Sequence, residues 1–130
     1  MNRILPSIAG AVLGLLFILF SSMFLFHFGP AQPPPPEGSP PALFMSALVP
    51  TGYFTFIKSF ELLGGILVAI PKTRNFGLLI LGPIIINILA FHTFLAHGAG
   101  ITKPPVVLIS LLAIYLLWDA RKSFAGLIGK

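Results

Sequence analysis

From residue 4 to residue 28 the chain runs for 25 positions without a charged side chain. That stretch decides which solvent the protein folds in. Crossing the hydrocarbon core of a bilayer takes about 20 consecutive apolar residues, and every backbone polar group along the way must be satisfied inside the helix. The run is too long for the core of a secretory signal and carries no small-x-small cleavage pattern, so it reads as a retained span. Further apolar segments cover about 51–70, 76–97 and 104–120. Over 130 residues only 8% are charged and 56% are hydrophobic, with a mean hydropathy of +0.99. So small a volume cannot hide that much apolar surface from water. The expectation is an all-α membrane protein, one domain over 1–130, built as a four-transmembrane-helix bundle with spans at about 4–28, 51–70, 76–97 and 104–120. No room remains for a separate catalytic domain.

Residues 29–50 are the one long connection, and its proline content sets its character. The four prolines 33–36, followed by Glu37 and Gly38, cannot continue a helix and predict an exposed connector. Beyond them, 42–49 is apolar but too short to span. Ser39 is a candidate N-cap and two prolines stand at the start, which predicts a short interfacial helix in this first outer loop. The turn 71–75 is short enough to force spans two and three antiparallel. Pro83 removes one backbone hydrogen bond within span three and predicts a kink. Trp118, near the end of span four, suits an aromatic anchor at the headgroups.

The formal net charge of +5 would suit nucleic acid if it formed a soluble patch. Instead the basic residues sit at the ends of apolar runs, which speaks against nucleic acid as a partner. Arg3, Lys72, Arg74, Arg121, Lys122 and Lys130 fall on one side of a four-span arrangement, and Lys103 on the other. The positive-inside rule then puts both termini of this multi-pass chain in the cytoplasm. The chain has no cysteine. That excludes disulfides, thiolate catalysis, cysteine-ligated zinc or iron–sulfur sites and covalently attached c-type haem.

The informative residues are the few polar ones inside the apolar runs. Lys58 and Glu61 stand three apart in span two, so on a helix they are about 60° apart on one face and can pair. An unpaired charge at that depth costs about 2.5–3.5 kcal/mol, so Glu61 must pair or hold a proton. Span three runs antiparallel and brings Asn87 and His92 to the same outer half, with His27 at the outer end of span one as a rim residue. Asn87 and His92 lie about 140° apart on an ideal helix, which points one of them at a different neighbour. Two uses of this cluster stay open: a ligand or proton site, or a polar lock on helix packing helped by the small residues Gly64 and Gly65. His97, at the interface, reads as a packing residue. A bis-histidine haem held by His27 and His92 is the weaker cofactor reading, and no spacing places two metal ligands on one helix face.

The order of His27-Phe28, the PPPPEG segment at 33–38, Thr51-Gly52-Tyr53-Phe54, Lys58, Glu61, Gly64-Gly65, the run 82–88 and Phe91-His92 resembles the DoxX family of small bacterial membrane proteins, over nearly the whole chain. The resemblance implies a four-helix membrane bundle. It also implies association with membrane complexes that handle quinol or thiosulfate oxidation and oxidative stress, with Lys58, Glu61, Asn87 and His92 carried over as the site. Nothing in the chain supplies a redox centre, so the expected role is an accessory subunit and not an enzyme on its own. The leading expectation is a pocket for a small amphipathic ligand such as a quinone, in a membrane redox assembly. A non-enzymatic assembly subunit is the alternative. A small proton-coupled transporter is less favoured, because four spans without an internal repeat make a poor alternating-access device unless copies associate.

Overall fold

The computed structural model describes residues 4–30, 34–98 and 101–129. Arg3 and Lys130 of the charge count, Pro33 of the proline run, and Ala99 and Gly100 of the third connection lie outside the described residues. Among the described residues all regular structure is helical.

Helix α1 (Ile4–Leu25) has 22 residues and no charged side chain. It ends where the chain turns left-handed: Phe26 N–H donates to Ser22 O at 2.8 Å and Phe28 N–H to Met23 O at 3.1 Å. Between them His27 has φ 58°. This is the αL termination that glycine usually supplies, and it stops the span three residues before the expected position 28.

Helix α2 (Pro40–Leu48) falls on the short helix expected after the proline run, starting two residues earlier than expected. Ser39 Oγ accepts from Ala42 N–H at 3.4 Å and donates to Pro36 O at 2.5 Å. Pro40 and Pro41 occupy first-turn positions where no N–H is required. Gly52 follows with φ 84°, and the chain swings by 85° into α3 (Tyr53–Ala69).

A 3-10 turn at Pro71–Thr73 leads into α4 (Arg74–Ala90), which continues as a π-helical turn at Phe91–Leu95. The helix passes Pro83 without a break, and 71–95 runs as one stretch of 25 residues. Gly82 helps explain this, since it offers no Cβ to clash with the following proline ring. Helix α5 (Pro104–Asp119) also opens on two prolines, and α6 (Arg121–Ala125) with a 3-10 turn at Gly126–Ile128 leaves it at 70°.

Two helices, Ile4–Leu25 and Pro71–Leu95, are by themselves long and apolar enough to cross a membrane. The count rises to four if each bent pair, α2 with α3 and α5 with α6, is one span. Large apolar side chains such as Leu15, Phe76, Ile86 and Ile114 are exposed on the outside, while Leu13, Phe17, Val68, Leu81 and Leu116 close the centre.

Helix α3 is the middle of the packing, because its two adjacent glycines admit a neighbour on each side. A Cβ at Gly65 would lie 2.9 Å from Gly14 O and 3.1 Å from Phe17 Cβ of α1. A Cβ at Gly64 would lie 2.6 Å from Leu81 Cδ2 of α4, and one at Gly77 of α4 would lie 2.5 Å from Val68 N. Such contacts bring backbones together where side chains would hold them apart.

Arg74 departs from its expected place in a basic loop. It opens α4, is only 7% exposed, and its Nε–H donates to Val68 O at 3.0 Å. Gly10 of α1 leaves the space its guanidinium fills. The cation therefore satisfies one of the last carbonyls of α3, at the negative end of that helix.

Candidate functional site

The end of the bundle away from Arg74 is not filled. The C-terminal half of α1, the N-terminal half of α3, the last turns of α4, the start of α5 and the overlying α2 surround an open cavity of about 760 Å³. Its wall is mainly aromatic and aliphatic. Phe17, Phe20 and Phe24 project from α1 at helical spacing, and Phe44 and Leu48 reach it from α2.

Lys58 and Glu61 meet in this wall. Their three-residue spacing puts Lys58 Nζ 3.2 Å from Glu61 Oε1, so they form an ion pair. Glu61 is only 4% exposed, and the lysine side chain is also largely covered. Lys58 Nζ stands 5.1 Å from the centre of the Phe54 ring, which gives the cation an electron-rich face as well as its carboxylate. Phe54 in turn meets Phe24 of α1 edge to face at 4.8 Å. The pair is thus held by its own helix and by a ring contact to the next.

Asn87 and His92 line the same cavity, Asn87 at an exposed position and His92 half-buried. The cavity borders α1, α2, α3 and α5 as well as α4, so side chains at different angles on α4 and its π-helical extension Phe91–Leu95 both line it. His92 Nδ1 is buried without a hydrogen-bond partner among the described residues. Such an atom costs about 1–3 kcal/mol until a partner satisfies it. The Phe91 ring lies 5.3 Å from that of His92 and 5.3 Å from that of Phe44, tilted against each, so α2 meets the π-helical turn through ring contacts.

His27 is not among the residues of this wall. It occupies its left-handed position beyond α1, exposed, and His97 repeats the device after the π-helical turn with φ 53°. Both histidines terminate helices. Among the described residues no group of three or more His, Asp or Glu side chains is placed to hold a metal ion.

Sequence reasoning overlooked Phe44, Leu48, the Phe17–Phe20–Phe24 row and Ser110 as wall residues. The i, i+3, i+7 spacing of the three phenylalanines was the available signal. Ser110 Oγ donates back to Val106 O at 2.8 Å and keeps its acceptor capacity. The arrangement is equipped to bind: an apolar volume of small-molecule size carries one compensated charge pair and a few neutral polar groups. Comparison with protein-family models, with curated proteins and with solved structures finds no match for this chain.

Proposed function

We propose that the chain is a DoxX-type, four-span inner-membrane protein with both termini in the cytoplasm, and that its cavity binds a small amphipathic ligand, a quinone by preference. It would act as an accessory subunit of a membrane redox or oxidative-stress assembly. The observation that carries this reading is the cavity of about 760 Å³ in which an aromatic wall meets Lys58, Glu61, Asn87 and His92. Catalysis on its own is not part of the proposal, because the residues supply no redox centre.

The four-span reading is supported by helix lengths. Helices α3 and α5, with 17 and 16 residues, rise about 25 Å and about 24 Å, a little less than the roughly 30 Å hydrocarbon core. Helices α2 and α6, turned sharply from them, suit the two interfaces. At the junction of α5 and α6 the Arg121 guanidinium lies 4.1 Å from the centre of the Trp118 ring, a pairing suited to the headgroup region.

The test is binding of decylubiquinone to the purified protein in lipid nanodiscs. Lys58→Met and Glu61→Gln should each weaken binding while leaving the helical circular dichroism signal intact. Unchanged affinity in both variants would remove the reading. A purely structural role is favoured by one observation, that Lys58 and Glu61 already satisfy each other. On that reading the same variants lose stability and not ligand affinity.

A further inference from the structure

The charge inventory of the cavity points to a narrower ligand class. Among the described residues of its wall, Lys58 and Glu61 are the two with formal charge, one of each sign, and they face each other at 3.2 Å. The cation is further covered by the Phe54 ring at 5.1 Å. An ionised ligand entering this mainly apolar space would bring a third charge with no counter-ion among the described wall residues. The other polar side chains of the wall carry no fixed charge: the Tyr53 hydroxyl, the Asn87 amide, the His92 ring and Ser110 Oγ, which keeps its acceptor capacity.

Resting on the binding reading above, we propose that the site selects against charge: it takes uncharged lipophiles whose polar head is a hydroxyl or carbonyl, and rejects fatty-acid anions and quaternary ammonium amphiphiles of the same length. The Lys58–Glu61 pair acts here as a charge filter. It contributes selectivity by being balanced, whichever of its members a bound head group touches.

The balance makes the test specific, because removing one member should change the sign of what the cavity accepts. The probes are decanol, decanoate and decyltrimethylammonium, which share one tail. Occupancy is read by native mass spectrometry of the protein in detergent at pH 8. The native protein should bind decanol at least about tenfold better than either ion, a difference of about 1.4 kcal/mol. Glu61→Gln leaves Lys58 uncompensated and should gain decanoate. Lys58→Met leaves Glu61 uncompensated and should gain decyltrimethylammonium. The double variant, neutral again, should return to decanol.

A merely structural pair would lower occupancy of all three probes together and would not produce opposite gains in the two single variants. Equal binding of the three probes by the native protein would overturn the charge filter while leaving the binding reading intact. Failure of the native protein to bind decanol or decylubiquinone would overturn both.

Discussion

Replacing Gly77 by alanine probes the backbone contact that seats α4 on α3. The added Cβ would lie 2.5 Å from Val68 N, 2.9 Å from Val68 Cα and 2.9 Å from Gly64 O. Ordinary contact begins at 3.4 Å, so the nearest pair must separate by about 0.9 Å before the overlap is relieved. None of the three obstacles is the end of a flexible side chain, so one helix backbone has to move relative to the other. Overpacking costs about 1–3 kcal/mol, and rigid obstacles put this site near the top of that range. Alanine returns about 1 kcal/mol through its better helix propensity. The expected net loss is about 2 kcal/mol, a roughly 30-fold fall in the folded-to-unfolded ratio. Unfolding in dodecyl maltoside by titration with dodecyl sulfate, followed by far-ultraviolet circular dichroism, measures it. Gly126→Ala is the reference, since a Cβ there meets nothing within 4 Å. A Gly77→Ala protein as stable as that reference would refute the argument that backbone contact sets the α3–α4 distance.

Two further outcomes follow from helix ends. His27→Gly removes the cost of a left-handed conformation in a residue with a Cβ and should stabilise the protein by about 0.5–1 kcal/mol in the same titration. Ligand occupancy should not change, and a loss of occupancy would return His27 to the site. Arg74→Met deletes the charged hydrogen bond to the buried Val68 O, for an expected loss of about 1.5–3 kcal/mol. Arg74→Lys should fail to restore it, because the lysine ammonium cannot reproduce the guanidinium that fills the space beside Gly10.

What could be read ahead of the structure was whatever depends on near neighbours in the chain. The uncharged run at 4–28 announces α1, the Ser39-Pro40-Pro41 sequence announces α2, and the spacing of Lys58 and Glu61 announces their pairing. Long-range facts were hidden. Arg74 looks like a loop cation until Gly10, 64 positions earlier, is seen to make room for it. That Asn87 and His92 line one cavity depends on its being bordered by several helices, which angles around a single helix do not show. His27 was placed at the rim by counting depth along a straight span, but α1 stops at Leu25 and the left-handed step at His27 takes the side chain out of the wall. The α2 residues in the wall were missed because a short apolar segment after a proline run was expected to lie against lipid, whereas Phe44 meets Phe91.

Gly64 and Gly65 have a consequence for how the cavity would treat ligands of different size. They lie one turn beyond Glu61, and through them α3 touches α1 and α4 backbone to backbone or nearly so. The floor bearing the ion pair is therefore set by main-chain geometry, which has no rotamers to adjust. The roof is of another kind: α2 has no buried residue, and it meets the π-helical turn through aromatic rings that can slide and tilt. Bulk would be accommodated at the roof and charge judged at the floor, so that tail length and head-group sign are sorted independently at opposite ends of one small volume.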